Sequence, residues 1–332
     1  MQWHITDRCD QRCKHCYIYQ TENGSGRAET ELSLPDMLRI LESFLEFCSE
    51  HSLVPGVTLT GGDPLLSPVF WQITEELKRH ELAYAILGNP FHLNQEVCDR
   101  LQESGCRSYQ MSLDGLESTH DKFRKPGSFR ATLSALQLLR RSGVRANIMA
   151  TVSKANSVEL PSLAKLCVEH SVSSFAFARY SPTHSDLDSQ FSPQEYRAFM
   201  ERMWSVYCEL ADKGTNFSLK DHLWSLFLYE KGKLDLEEGD LIIDGCNCGI
   251  RHITVLPDGM VYACRRFESP VGKVPESKMT DVFFGQEMER YRAYDKFVAC
   301  SQCELLRYCR GCPAVAYGTT GSFYAKDPQC WK

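Results

Sequence analysis

Residues 9–17 read Cys9-Asp10-Gln11-Arg12-Cys13-Lys14-His15-Cys16-Tyr17, a C-x3-C-x2-C triplet near the amino terminus. These three thiols are one short of the four that a [4Fe–4S] cube needs for full protein ligation. Cys-x2-Cys spacing also occurs in zinc sites and redox dithiols, but those come as two pairs, or as one pair beside a βαβ pattern. A lone triplet with three-then-two spacing fits neither. It fits a cube with one iron left open for a small-molecule ligand.

The remaining cysteines are as uneven as the first three. Of 16 in the 332-residue chain, eight fall after residue 245, and only Cys48, Cys98, Cys106, Cys167 and Cys208 are scattered between. Met1-Gln-Trp-His-Ile-Thr6 is no secretory signal, so a disulfide framework is not expected. The economical reading is a reducing cytoplasm, with clustered thiolates on metal and the five scattered cysteines as small buried apolar residues. A content of 43% apolar and 24% charged residues describes a globular protein with ample core. A net charge of −6 gives no footprint for nucleic acid or an anionic membrane, and no run approaches the roughly 18 apolar residues of a membrane span.

Up to about residue 215, strands and helices alternate. Gln2 to Thr6 is a short strand that delivers the cysteine loop at once, with no room ahead of it in this sequence for a separate recognition domain. A Gly/Ser/Glu-rich loop, Asn23 to Thr30, precedes a helix opened by the Ser33 cap and Pro35, in which Met37, Ile40, Leu41, Phe44, Leu45 and Cys48 recur at helical spacing. Strand Val57–Thr60 ends in Gly61-Gly62-Asp63-Pro64, where two glycines let backbone approach closely or take positive φ. Helix Val69–His80 leads to strand Ala83–Leu87 and Gly88-Asn89-Pro90. Helix Gln95–Ser104 leads to strand Ser108–Leu113 and Asp114-Gly115. Helix Phe129–Ser142 leads to strand Arg145–Val152, and helix Leu160–His170 to strand Ser174–Ala178. Such alternation implies a parallel sheet with helical crossovers, and polar residues gather past the strand ends, where α/β barrels put their chemistry. Six units are too few for a closed eight-unit barrel.

The second half changes character. Helix Ser192–Lys213 carries Tyr196, Phe199, Met200, Met203, Trp204 and Tyr207, a stripe read as core. Lys220–Lys231 is a second amphipathic helix, and Asp235–Asp244 an acidic linker. Cys246-Asn247-Cys248 then runs into strand Ile253–Val255, turns at Pro257-Asp258-Gly259 and returns to Cys264. Cys300-x2-Cys303-x5-Cys309-x2-Cys312 and Cys330 follow. Two C-x2-C pairs could hold zinc, but a zinc site uses four ligands, and eight cysteines stand here without histidine at ligand spacing. The expected domains are 1–215, a helical connector 216–245 and a cysteine-rich domain 246–332.

The opening triplet resembles the cluster loop of the radical S-adenosylmethionine (SAM) enzymes. The resemblance implies an open (β/α)6 partial TIM-like barrel of the α/β class. It also implies that Cys9, Cys13 and Cys16 hold a [4Fe–4S] cluster whose open iron chelates SAM, with Tyr17 beside the adenine. Gly61-Gly62-Asp63-Pro64 resembles the family's Gly-Gly-Glu-Pro motif for the SAM ammonium group. Asp63 is one methylene shorter than that Glu, so backbone contacts at Gly61 and Gly62 are favoured over the carboxylate. Ser112-Leu-Asp114-Gly115 with His120–Phe129 resembles the stretch in which Ser112 would line the SAM pocket and Arg124 would pair with the SAM carboxylate. Asn89 and Gln110 end neighbouring strands and are candidate pocket contacts; Thr151 and Arg179 are weaker ones.

The tail resembles the SPASM extension, which holds two auxiliary Fe–S clusters. Carried over by position, Cys300, Cys303, Cys309 and Cys330 hold the distal cluster, and Cys246, Cys264 and Cys312 the proximal one. The Cys309-x2-Cys312 spacing is shorter than in many members, and Cys248 stands where a small residue is usual. Cys248 is taken as the proximal cluster's fourth ligand; otherwise that iron is open to substrate.

The implied cofactors are three [4Fe–4S] clusters and SAM, cleaved reductively to a 5′-deoxyadenosyl radical. The expected reaction is modification of a ribosomally made peptide, with a thioether crosslink as the bond. The expected partners are a separate leader-recognition protein and a low-potential donor, flavodoxin or ferredoxin. Alternatives are modification of porphyrin side chains, sulfatase-type oxidation of Ser or Cys, and a non-catalytic Fe–S or zinc scaffold. The sequence names no catalytic base.

Overall fold

The computed structural model describes residues 1–18, 31–182 and 187–332. The Asn23–Thr30 loop lies outside the described residues. The first part of the chain forms β1 (Gln2–His4), α1 (Leu34–Glu50), β2 (Val57–Thr60), α2 (Phe70–Arg79), β3 (Tyr84–Leu87), α3 (Gln95–Glu103), β4 (Cys106–Ser112), α4 (Glu117–Phe123), α5 (Ser128–Arg141), β5 (Arg145–Val152), α6 (Leu160–Glu169) and β6 (Ser174–Arg179). The spacing predicts these elements closely, apart from the short α4. Then come α7 (Pro193–Leu210), β7 (Asn216–Ser218), α8 (Trp224–Glu230), β8 (Thr254–Val255), β9 (Met260–Tyr262), β10 (Pro270–Lys273), α9 (Met279–Phe283), α10 (Gln286–Glu289) and α11 (Pro313–Thr320).

Local chemistry explains the helix starts. The Ser33 hydroxyl accepts the Asp36 N–H at the head of α1, and Ser192 and Glu195 form a reciprocal capping box at the head of α7. Helix α1 buries Met37, Ile40, Leu41, Phe44, Phe47 and Cys48 along one face. No helix among the described residues is long and apolar enough to cross a membrane.

The chain divides into two compact units, each drawing on both the barrel half and the tail. The first unit comprises Met1–Ser112, His120–Asn147 and Cys248–Arg292. Its strands run β10-β9-β8-β1-β2-β3-β4. β1 pairs in parallel with β2, with Trp3 opposite Leu59, and on its other side with β8, with Trp3 opposite Val255. With a neighbour on both sides, β1 buries Trp3 completely and delivers the cysteine loop from the sheet's interior.

The second unit comprises Leu113–Thr119, Ile148–Asn247 and Ala293–Lys332. There β6 pairs in parallel with β7. The α7 stripe is core, as expected: Tyr196, Phe199, Met200, Met203 and Tyr207 are buried, with Phe177 and Phe199 edge to face at 5.1 Å and Tyr207 stacked on Phe217 at 4.6 Å. Across the chain, Cys48, Cys98, Cys106 and Cys167 are buried, but Cys208 is exposed. Cys208 follows Tyr207 and so falls one residue off the buried face of α7, which corrects the expectation that all five scattered cysteines are core.

Candidate active site and auxiliary cysteine clusters

The front site lies in the first unit. Gly62 and Asp63 donate their backbone N–H groups to the carbonyls of Thr6 and Arg8 at 2.9 and 2.8 Å, tying the end of β2 to the segment that enters the cysteine loop. A Cβ on Gly61 would stand 2.1 Å from the Thr6 carbonyl oxygen, and one on Gly62 2.2 Å from that of Arg8, so no larger residue fits this backbone crossing. The glycines hold the loop.

The loop is fastened on its other side by the chain around α4. Lys14 N–H donates to the Phe123 carbonyl at 2.9 Å, and Gln11 Nε2 donates to Ser128 Oγ at 2.9 Å. Arg124 places Nη1 3.7 Å from Cys13 Sγ and Nη2 3.2 Å from His15 Nε2, while His15 meets Phe123 edge to face. Asn89 is buried; its Nδ2 donates to Asp10 Oδ1 at 2.8 Å and lies 4.0 Å from Cys9 Sγ, and its Oδ1 accepts the Phe91 N–H at 2.9 Å. In this structure Asn89 therefore positions the cysteine loop.

Asp63 is fully buried. Its Oδ1 accepts the Leu65 N–H at 3.1 Å, and its Oδ2 has no hydrogen-bond partner among the described residues. Burial pushes its carboxyl up to about 6. Asp63, Asp10 and His92 offer ligand atoms within 4.8 Å of one another, and His92 Nε2 is 3.5 Å from Asp10 Oδ2. Tyr17 lies edge-on to His4 at 6.2 Å, with the Arg265 guanidinium 6.0 Å from its ring. Burial, opposed by Arg265 and aided by Cys16 and Cys264, pushes its hydroxyl up to about 12. Gln110 and Ser112 stand half-buried at the end of β4.

This donor set fits the groups that the resemblance implies. Burial first, and then the charges of Asp63, Cys13 and Cys16, push the Cys9 thiol up to about 12, so neighbouring thiolates here need bound positive charge. The partnerless, buried Asp63 Oδ2 suits a cationic ligand group such as an ammonium. The sequence reading missed Asp10, Gln11, His15 and His92. Three of these lie inside the triplet, where counting cysteine spacing passes over the residues between.

The tail cysteines are divided between the units. In the first, Cys248 and Cys264 both act on Tyr291, whose hydroxyl is raised well above its ordinary range, chiefly by burial. In the second, burial pushes the Cys300 thiol up to about 11, with Cys330 and Cys303 adding to it. Burial and then Asp327, Cys330 and Cys300 raise Cys309. Cys303 and Cys330 thus act on Cys300, and Cys300 and Cys330 on Cys309, which links the four cysteines expected at the distal cluster. Cys246 and Cys312 share the second unit with half-buried His222. Against the cost of burying its charge, these two thiols push the imidazole up to about 10.

Arg179 and Thr151, the weaker pocket candidates, both lie in the second unit. Arg179 is 1% exposed at the end of β6. Its Nε donates to Asp221 at 2.9 Å, and Nη1 and Nη2 donate to the two oxygens of Asp327 at 2.7 and 2.8 Å. Nη1 also reaches Gln329 Oε1 at 3.0 Å. Thr151 gives its N–H to Asp114 at 2.9 Å.

A thiol triplet on a loop leaving the first strand of an α/β sheet, with eight further cysteines in the tail, defines an iron–sulfur α/β enzyme that presents a small molecule to its cluster. The sequence models of two families match the chain: the radical SAM superfamily over residues 3–167, and the SPASM iron-sulfur cluster-binding domain over residues 246–313. The protein is a radical SAM superfamily enzyme carrying a SPASM domain, built as a (β/α)6 partial barrel with a cysteine-rich C-terminal region. Iron–sulfur clusters and SAM are its cofactors. It is similar to the AdoMet-dependent heme synthase of Methanosarcina barkeri (strain Fusaro / DSM 804), 26% identical over 345 residues, 99% of this chain and 95% of the relative. It is also similar to the mycofactocin maturase MftC of Mycobacterium ulcerans (strain Agy99), 26% identical over 343 residues, 99% of this chain and 87% of the relative. SuiB of Streptococcus suis bound to S-adenosylmethionine shares the fold with a TM-score of 0.78 at 18% identity, covering 100% of this chain and 76% of that one. Its structure with precursor peptide SuiA gives 0.76 at 16% identity, over 100% and 75%.

Proposed function

We propose that this enzyme modifies a ribosomally made peptide, and that the bond it forms is a thioether crosslink. Cys9, Cys13 and Cys16 hold the SAM-binding cluster; Tyr17, Gly61, Gly62, Asp63, Asn89, Gln110, Ser112 and Arg124 shape the SAM site around it. Asn89 acts there by holding Asp10, and Asp63 offers its partnerless oxygen to the SAM ammonium group. Cys300, Cys303, Cys309 and Cys330 hold one auxiliary cluster, and Cys246, Cys248, Cys264 and Cys312 the other, making three [4Fe–4S] clusters. When bound, these groups supply one-electron chemistry: reductive cleavage of SAM to a 5′-deoxyadenosyl radical, and electron removal at the tail. The peptide loses one hydrogen atom from carbon to that radical, then a thiol proton and one electron as the carbon–sulfur bond closes. A leader-recognition protein and a flavodoxin or ferredoxin complete the cytoplasmic system.

One observation carries the choice of peptide over porphyrin. The basic side chains that follow the barrel strands are already engaged among the described residues. Arg179 is saturated by Asp221 and Asp327, Lys154 pairs with Glu195 at 2.9 Å, and Arg124 is held at Cys13 and His15. A porphyrin's carboxylates call for unpaired arginines. The likeness to MftC and to SuiB with SuiA agrees with a peptide substrate.

The porphyrin reading has the full-length likeness to the heme synthase in its favour. Anaerobic enzyme with SAM, reductant and peptides encoded beside its gene should yield 5′-deoxyadenosine and a peptide lighter by one H2, unless its cysteines are alkylated first. No mass change in any such peptide, with tight optical titration by an iron-porphyrin precursor, would overturn the proposal.

A further inference from the structure

Glu31 is a half-buried acid of the first unit, apart from the cysteines and from the residues assigned to SAM. Its Oε1 accepts two hydrogen bonds, from Thr6 Oγ1 at 2.7 Å and from the Asp7 N–H at 2.9 Å. Thr6 Oγ1 in turn accepts the Arg8 N–H at 3.1 Å, and Glu31 Oε2 lies 3.9 Å from Arg8 Nε. Thr6, Asp7 and Arg8 run directly into Cys9. Their backbone also makes the glycine crossing: the Thr6 carbonyl accepts the Gly62 N–H, and the Arg8 carbonyl accepts the Asp63 N–H. Thr6 is fully buried and Asp7 nearly so, which leaves water little access to replace the carboxylate. Glu31 is fixed in turn from behind. The Leu32 N–H donates to the Pro257 carbonyl at 2.9 Å, Leu32 Cδ1 packs against Gly259, and Ser33 caps α1. Pro257 and Gly259 belong to the turn between β8 and β9, and β9 leads on to Cys264. Two consecutive residues, Glu31 and Leu32, thus join the segment that enters the cysteine triplet to the hairpin that precedes Cys264.

We propose that Glu31 is a positioning residue for SAM cleavage. Its carboxylate holds Thr6–Arg8 in one arrangement, and so sets Cys9 relative to the backbone of Gly62 and Asp63. Reach matters here more than charge. Both accepted bonds need an oxygen at the end of the full glutamate stem, whereas Arg8 is half exposed and a pair at 3.9 Å adds little. A buried hydroxyl and amide that lose their acceptor seek new partners, and the segment that carries Cys9 shifts with them. Small displacements beside reacting groups are costly in rate. The inference rests on the reading of Cys9, Cys13 and Cys16 as ligands of the SAM-binding cluster.

The test uses the full chain, reconstituted anaerobically, as wild type, Glu31→Gln, Glu31→Asp and Glu31→Ala. Each is measured for iron content, for kcat/KM toward SAM in 5′-deoxyadenosine formation under dithionite, and for hydrogen–deuterium exchange over Thr6–Cys9. Glu31→Gln keeps an acceptor oxygen at the same reach and should match wild type in all three. Glu31→Asp keeps the charge one methylene short. It should hold wild-type iron, lose about tenfold in kcat/KM and exchange faster over Thr6–Cys9. Glu31→Ala should lose at least as much. Wild-type kcat/KM in Glu31→Asp at full iron overturns the inference, and so does lost activity with unchanged exchange over Thr6–Cys9. A Glu31→Gln as impaired as Glu31→Asp also overturns it, since charge beside Arg8 would then be the cause. Loss of iron from Glu31→Asp overturns it too, because Glu31 would then be needed for loading rather than for positioning. Where Glu31→Ala alone sheds iron, Glu31→Asp decides by the same criteria. A Cys9/Cys13/Cys16→Ala chain that still cleaves SAM overturns the ligand reading instead, and that is read with Glu31 intact.

Discussion

Arg179→Met removes the guanidinium and strands two carboxylates, Asp221 and Asp327, each at most 5% exposed, in the second unit's interior. Removing one partner of a buried ion pair costs about 3–5 kcal/mol, and two acids left behind place this case at the upper end. At roughly 2–4 °C per kcal/mol for a folded unit of moderate size, the anaerobic protein should melt roughly 10–20 °C lower by near-UV circular dichroism. The pH dependence carries a sign. Burial works to raise the Asp221 carboxyl, but Arg179 and His222 outweigh it and hold it below its ordinary range. In the parent, its stabilising contribution is therefore present above that range and lost as pH falls through the lowered value. Without Arg179, burial prevails and the Asp221 pKa rises, so the deficit is largest near neutrality and shrinks as acid protonates the carboxylate. Arg179→Met/Asp221→Asn/Asp327→Asn should recover more than half of the loss, because the stranded charges are gone. A melting point within about 2 °C of the parent, or a deficit that grows in acid, would refute this account.

Gly62→Ala sets a Cβ against the Arg8 and Asp7 carbonyls. It should cost about 1–3 kcal/mol in denaturant unfolding and lower SAM cleavage with less iron at the front triplet. Asp63→Asn removes a carboxylate whose folded pKa is raised to about 6 by burial. Wild-type stability without SAM should therefore fall as pH rises from the ordinary carboxylate range through about 6, and the variant should not show that fall. The variant is then more stable than wild type at pH 7–8 by roughly 2–3 kcal/mol and equal to it below about pH 4, while binding SAM more weakly in equilibrium dialysis. Asn89→Ala deprives Asp10 of its 2.8 Å amide donor. The loop should lose about 1–3 kcal/mol, seen as slower iron uptake during reconstitution at unchanged overall helicity.

Periodicity and cysteine spacing carried most of the fold and the iron–sulfur character because both are local. The strand–helix alternation through β6 and the α7 stripe are written within windows of a dozen residues. What was not legible depends on distant segments. β8 is two residues long and joins β1 across most of the chain, so no local pattern names its partner. Arg179 read as a strand-end pocket residue because its carboxylates lie 42 and 148 residues away. The bond from the Asn89 amide to Asp10 in the cysteine loop, 79 residues away, was likewise invisible to any local window. His222 had no ligand spacing and gave no signal at all.

These residues belong to one physical problem. A loop crowded with thiols gains little from its own backbone, and its sulfurs are costly to ionise: burial first, and then the charge of neighbouring thiols, raises Cys9 and Cys300. Such a loop cannot hold the geometry of an iron site unless rigid groups from elsewhere fix it. In the first unit that support comes from the Gly61-Gly62 crossing, Asn89 and Arg124; in the second it comes from Arg179 through Asp221 and Asp327. Where the loop's backbone is tied to the end of a sheet strand, backbone and amide donors share the work with the Arg124 guanidinium. Where the cysteines sit on irregular chain, a buried charge bridges the loops instead. Iron binding then completes structures already braced by the fold, and the proton load of the thiols sets how strongly metal uptake and pH are coupled.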